Sequence, residues 1–268
     1  MNLIAQSPAI SGCKIELVNN VIKKSCNPDY SLRLNEQAYK QQEYKKILEE
    51  CGIYVPIVHR MLDSHFYMEY LPYKGYINFV SENSILEVKK SLLKIIDWIA
   101  YSVHSVEMDY EVKEDYLTKE ISRKEFPSDY KKLADDIFMK TKKVELPAGY
   151  CHGDMTLSNF LFGEGRVGLI DFNDVPVDSP IFDIIKLRQD TKYHWTAIMS
   201  EHLGKNFDRK KIIITDNWLN YELESKLMNL KIDMNKFKYW EALNYLKIFR
   251  NAPKELYQYL ENIIKEII

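Results

Sequence analysis

Between Gly149 and Asp183 the chain reads GYCHGDMTLSNFLFGEGRVGLIDFNDVPVDSPIFD, and its acids sit beside runs as apolar as VGLIDF. NFLF and VGLIDF are short apolar runs separated by GEG, which predicts a β-hairpin. Asp154 then falls just before the first strand and Asp171 at the end of the second. A hairpin returns its open ends to each other, so Asp154, Asn159 and Asp171 are expected at one end of a small sheet. Two ionised carboxylates about 4 Å apart repel by roughly 4 kcal/mol at an effective dielectric near 20. That would raise one pKa by about three units. A chain meets the cost by separating the acids, protonating one, or supplying a cation. Oxygen donors of the Asp and Asn type suit Mg²⁺, which takes one or two carboxylates together with substrate phosphates. The grouping therefore predicts a magnesium–phosphate site. Taken one at a time, each acid also reads as a solvated loop residue or a helix cap.

The elements that must position this stretch follow from the rest of the chain. CKIELV and VIKKSC flank Asn19-Asn20, a two-residue hairpin signal. LRLNEQAYKQQEYKKILEECG has helical spacing and ends on Gly52, where a helix C-cap belongs. IYVPIVHRM and HFYMEYL read as further strands. The order β-β-α-β-β predicts a small antiparallel sheet carrying one helix. Pro72 and Gly75 break the pattern, and the lobe boundary is placed there, giving lobes of 1–73 and 74–268. Ser84 and Glu87 have capping-box spacing. They precede a helix whose core stripe is Leu92, Ile95, Ile96, Ile99 and Val103. The charged segment from Glu107 to Leu146 reads as helical, and helices follow the hairpin to the end. The fold class is α+β.

Composition narrows the partners. The 268 residues are 46% hydrophobic and 28% charged, with a formal net charge of −2. Such a balance offers no basic field for nucleic acid or an anionic membrane. Cys13, Cys26, Cys51 and Cys151 match neither a zinc spacing nor a dense disulfide framework, and read as reduced thiols of a cytoplasmic protein. The first ten residues lack the features of a signal peptide. No apolar run approaches the roughly 20 residues a spanning helix needs.

HGDMTLSN resembles the H-G-D-x-x-x-x-N catalytic loop of the aminoglycoside phosphotransferase and choline kinase group, which has a two-lobed protein-kinase-like fold. IDFNDVPVDSPIFDI is similar to that group's metal-binding segment and the D-P-x-x-D-[LI] motif behind it. The resemblance implies a small sheet lobe with one main helix and a larger helical lobe carrying the catalytic hairpin. It implies a kinase that moves the γ-phosphate of ATP, with GTP also open, to a hydroxyl of a small molecule. Asp154 matches the catalytic acid, Asn159 and Asp171 the Mg²⁺ ligands, His152 a loop-structuring residue, and Asp183 the acid that braces the loop. A strand Lys should contact the phosphates. Lys23 and Lys24 both fit, and Lys24 is favoured because the family places its Lys at the end of the apolar-basic run. Glu43, with Glu36 as runner-up, is expected to hold that Lys. FYMEYLP resembles the hinge, with Met68 packing on the base and Glu69, Tyr70 and Leu71 giving main-chain contacts. The phosphate loop is poor, with Gly12 as its one glycine.

The acceptor is the least legible part. Trp195, Tyr193, Trp240 and Tyr245 could form a cage for a quaternary ammonium, or simply be core. Asp174 and Asp178 could face an amino sugar. Lys186 and Arg188 could bind an anionic acceptor or be surface charges. A sugar or small metabolite of cell-surface polysaccharide synthesis is the preferred acceptor. A nucleotide-binding regulator without catalysis and a metal-dependent phosphohydrolase are the alternatives.

Overall fold

A computed structural model describes every residue except 1, 7–12, 63, 107, 111–129, 174, 176 and 250–251. Its N-terminal part is a five-stranded antiparallel sheet in the order β1 (Asn2–Gln6), β2 (Lys14–Val18), β3 (Val21–Ser25), β6 (His65–Glu69), β5 (Val58–Leu62). Asn19 and Asn20 both take positive φ, 49° and 61°, as the two-residue turn of the β2–β3 hairpin requires. Helix α1 (Ser31–Glu50) packs on this sheet. It ends at Gly52, whose φ of +78° suits the left-handed C-cap.

The segment IYVPIVHRM is not one strand. Its first two residues, Ile53–Tyr54 (β4), pair in parallel with β11 (Arg166–Leu169). Its last four residues, with Leu62 after them, form β5 of the N-terminal sheet. Pro56 lies in the break, where a residue without an N–H cannot continue a ladder. A second, four-stranded sheet results, in the order β4-β11-β10-β7, with β10 at Phe160–Gly163 and β7 at Lys74–Gly75. The β10–β11 hairpin therefore sits inside a four-stranded sheet, fed by chain from both sides of the linker.

Helices α2 (Tyr76–Glu82) and α3 (Ile85–His104) follow. Ser84 and Glu87 cap α3 reciprocally. Leu92, Ile95, Ile96 and Ile99 are fully or nearly fully buried along it, each stabilising the fold by about 1.5–3 kcal/mol. The charged segment after it is not wholly helical. Met108–Tyr110 (β8) pairs with Leu146–Ala148 (β9), and α4 is Lys131–Thr141. Then come α5 (Pro180–Thr191), α6 (Trp195–His202), α7 (Arg209–Asn229), α8 (Lys238–Phe249) and α9 (Tyr257–Ile267).

Two hydrophobic clusters result. The small one holds Ile22, Leu34, Ala38, Val58, Phe66 and Met68. The large one fills the helical part and takes in Tyr44 and Leu48. Helix α1 thus contributes its first half to one core and its second half to the other. Among the described residues, no helix is long and apolar enough to cross a membrane.

Candidate active site

The loop His152–Asn159 is built around one glycine and one buried acid. Gly153 has φ +89°, and a Cβ there would lie 2.5 Å from the carbonyl oxygen of Asn173. The residue must be glycine for the loop to lie against the segment after β11. Asp183, at the start of α5, is fully buried. Its carboxylate accepts from the backbone N–H of His152 at 2.7 Å and of Gly153 at 2.8 Å. Burial pushes the Asp183 carboxyl upward, and His152 and the two N–H groups oppose it. His152 is also fully buried; its Nε2 donates to Ile170 O at 3.0 Å and its Nδ1 accepts from Asp154 N at 3.2 Å. Burial lowers its pKa. Both nitrogens are committed to the backbone, so His152 ties the loop together.

Asp154 is open where the chemistry needs it, with 31% of its side chain exposed. Asn159 donates its amide nitrogen to Asp154 O at 2.7 Å and to Oδ2 at 3.2 Å. Lys186 Nζ lies 3.0 Å from Oδ1. Burial raises the Asp154 carboxyl, but the Lys186 ammonium, with help from His152 and Asn159, outweighs it and holds the acid below its ordinary value. Asp154 is therefore ionised at neutral pH.

Asp171 follows β11 in a left-handed conformation, φ +67°, and is ion-paired to Lys24. Lys24 is buried, and it also donates to Gln37 Oε1 at 3.0 Å. Of the two strand lysines, Lys24 is the one that reaches the hairpin. Each carboxylate of the site thus has its own lysine, and this is how the fold meets the repulsion expected between them.

The helix partner of Lys24 is Gln37, and Glu43 is corrected here. The Glu43 side chain is exposed, on a different face of α1. Gln37, Lys40, Gln41 and Tyr44 follow i, i+3, i+4, i+7 spacing, which is one face of a helix. From that face Lys40 bonds Asn173 O at 3.1 Å and Asp178 Oδ1 at 2.5 Å, and Tyr44 donates to Asp178 Oδ2 at 2.6 Å. Arg33 reaches Asn173 Oδ1 at 2.7 Å. Asp178 is therefore tied to α1 and is not a free acid of an acceptor pocket. The signal for this face was the stripe of buried Leu34, Ala38, Gln41, Tyr44 and Leu48.

The linker is also more fixed than expected. Met68 is enclosed in the small core, with Gln41 Nε2 3.8 Å from its sulfur, so its surface is already spent on protein. The Glu69 N–H donates to Ile57 O, and its carboxylate accepts from Tyr54 OH at 2.6 Å. Leu71 is buried over Gly168, where a Cβ would come within 2.8 Å of its methyl. Gly12 and Asp174 lie outside the described residues.

On the acceptor side most candidates are core. Trp240 is 3% exposed, donates its indole N–H to Val144 O at 3.3 Å and meets Phe182 edge-on. Tyr193 and Tyr245 are buried. Trp195 is half-buried against the large core. Arg188 is buried and paired to Glu241 at 2.9 Å and to Glu224. Among the described residues, these four rings form no open cage, and Arg188 is paired.

One buried acid had no sequence signal. Asp190, on α5, accepts from Leu157 N at 2.5 Å and Thr196 N at 2.9 Å. It ties the turn that carries Asn159 to the start of α6. Burial pushes its pKa up to about 7.

The donor set fits Mg²⁺. Asn159 spends its amide nitrogen on Asp154, so the end it can offer a cation is Oδ1. Asp171 is 45% exposed and already holds a cation, the Lys24 ammonium. Two oxygen donors are enough for an ion that keeps waters and phosphate oxygens as its remaining ligands. Consistent with so sparse a set, no group of three or more His, Cys, Asp or Glu able to hold a metal occurs among the described residues.

A strand lysine, a helix beneath it, a linker, and a hairpin bearing Asp154, Asn159 and Asp171 define the kinase-like phosphotransferase fold. The comparisons agree. Residues 107–218 match the model of the phosphotransferase enzyme family, APH, so the resemblance read from the motifs holds. The fold is similar to that of the aminoglycoside phosphotransferase APH(2″)-IIa in its ternary complex with streptomycin and ATP, at 15% identity and TM-score 0.53, covering 99% of this chain and 91% of that one. It is similar to a glucosamine kinase bound to glucosamine, ADP and inorganic phosphate, at 14% identity and TM-score 0.52, covering 96% and 82%. A choline/ethanolamine kinase family protein from Mesorhizobium loti aligns at 11% identity and TM-score 0.53, covering 100% and 88%. No curated protein matches the sequence.

Proposed function

We propose that this chain is an ATP- and Mg²⁺-dependent kinase that phosphorylates a hydroxyl of a small molecule. The observation that carries the reading is the convergence of Asp154, Asn159 and Asp171 at the open end of one hairpin, with Lys24 reaching Asp171 from the opposite sheet. Asp154 orients the acceptor hydroxyl and takes its proton. Lys24 exchanges Asp171 for the nucleotide's phosphates. Bound Mg²⁺, held by Asn159 and Asp171, would neutralise charge on the β- and γ-phosphates.

The acceptor favoured is a sugar or similar neutral polyol. Trp240, Tyr193 and Tyr245 are spent on the core, which removes the cage a quaternary ammonium needs. Asp178 is spent on Lys40 and Tyr44, which takes one acid from a pocket for a polycationic antibiotic. Tyr73 and Leu71 lie on the hairpin, so the linker offers ATP main-chain groups rather than side chains.

The test is ADP release with Mg-ATP and a panel of sugars, polyols and amino sugars. A regulator would bind ATP and release no ADP. Asp154→Asn should lose about 10²- to 10⁴-fold in rate, the usual worth of a general base, with nucleotide affinity kept. Near-normal transfer in that variant would refute the role given to Asp154. Lys24→Ala should lose most activity as well, whereas a phosphohydrolase needing no such lysine would keep it.

A further inference from the structure

The family pattern accounts for one of the two lysines paired to the site's carboxylates and leaves the other without a role. Lys186 lies on α5, one turn after Asp183. The same helix therefore braces the loop through Asp183 and delivers an ammonium 3.0 Å from Asp154 Oδ1. The Lys186 side chain is only 24% exposed. Desolvating an ammonium is costly, so its placement here, beside the one acid that must act, calls for a return. Asp154 is its one partner among the described residues, and an ammonium carries three N–H donors.

Geometry says where the others can go. An acceptor oxygen must lie about 2.6–3.2 Å from Asp154 and about 3–3.5 Å from the phosphorus it attacks. A cation one hydrogen bond from Oδ1 is then within reach of the oxygens on that phosphorus. Lys24 approaches from the nucleotide side of the site through Asp171, so the phosphoryl group passes between two ammonium groups.

We propose that Lys186 is a catalytic residue, whose ammonium bridges Asp154 and an equatorial oxygen of the phosphoryl group during transfer. This rests on the kinase reading above. In the step, the acceptor oxygen–phosphorus bond forms as the bond from phosphorus to the β–γ bridging oxygen breaks. ADP leaves with that electron pair, and the hydroxyl proton passes to Asp154. Lys186 takes no part in the proton transfer and contributes charge only. A compact ammonium suits this task, since charge in the transition state is spread over three oxygens rather than concentrated on a planar pair.

The experiment needs no knowledge of the acceptor. Affinity for Mg-ADP is measured by calorimetry with and without aluminium fluoride, a mimic of the phosphoryl group in flight. Wild-type protein should bind ADP more tightly with the fluoride. Lys186→Met should keep ADP affinity within about twofold and lose about 10²-fold of the added tightness, the usual worth of one preorganised donor. Lys186→Arg should retain part of it, and serves in place of Lys186→Met should that variant fail to fold. An unchanged fluoride increment in both variants would overturn the proposal. So would a Lys186→Met loss of Mg-ADP affinity itself with the fluoride increment kept, which would mark a ligand of the nucleotide alone. If wild-type protein shows no increment at all, the kinase reading itself falls and takes this role with it.

Discussion

Charges on the two walls of the cleft are used in opposite ways. On the wall made by β3 and α1, Lys24 and Lys40 reach across to Asp171 and Asp178, whose side chains are 45% and 42% exposed. On the helical wall, Arg188 and Glu241 are buried together at 8% and 3%, while the second partner of Arg188, Glu224, is 42% exposed. An ion pair with one wet partner can exchange that partner for a phosphate or a metal at small cost, because water screens the charge left behind. A pair enclosed on both sides cannot, because separating it leaves an uncompensated buried charge. In the proposed reading the first wall is the one a ligand opens, and the Arg188–Glu241 pair of the second stays shut.

The sharpest way to break this contrast is Arg188→Met. It should cost about 3–5 kcal/mol of stability, the usual price of orphaning a buried partner, read from urea unfolding, while nucleotide affinity is unchanged. If it instead left stability intact and raised the acceptor KM, Arg188 would be a substrate ligand and the helical wall would be functional after all. Next in size is Asp171→Ala. It should weaken Mg-ATP binding at least about 10- to 100-fold, the loss seen for groups that merely support a metal ligand, with little change in melting temperature. A drop in stability without a binding loss would place Asp171 with the closed pairs. Smallest is Asp190→Asn. The folded value of about 7 lies above the ordinary 3.8, so between those pH values the folded state holds the extra proton. Stability should fall as pH rises from about 4 to about 7, by at most about 1.4 kcal/mol per pH unit from this group. Asp190→Asn should lack that part of the slope in urea titrations at stepped pH, and identical slopes would refute it.

What the sequence made legible follows the same division. The hairpin is contiguous, so local spacing alone brought Asp154, Asn159 and Asp171 together, and the motif resemblance added His152 and Asp183. Even there the turn is the two residues Glu164-Gly165, both at positive φ, with Gly163 kept in β10. Lys24 against Lys23 is a question of strand alternation, answered by which side chain is buried. Glu43 was attractive for its charge, yet Gln37 holds the position, because helix face outranks charge when the partner is thirteen residues away. Trp240 and Arg188 carry chemistry-bearing side chains that a linear reading cannot tell from ligands, since their burial depends on α7 and α8 folding back. Asp190 had no signal, as both of its N–H partners come from other segments.

Leu71 seats on Gly168, and Asp171 stands three residues further along the same chain. Three residues of extended backbone span about 10 Å. In the proposed reading, the span from the base-facing linker to the metal-side carboxylate is therefore written into a single stretch of polypeptide. Rocking of the small sheet would swing Lys24 toward or away from a bound triphosphate and leave that span untouched. In that reading, how long a nucleotide fits is a property of the hairpin, and how firmly it is gripped is a property of the sheet.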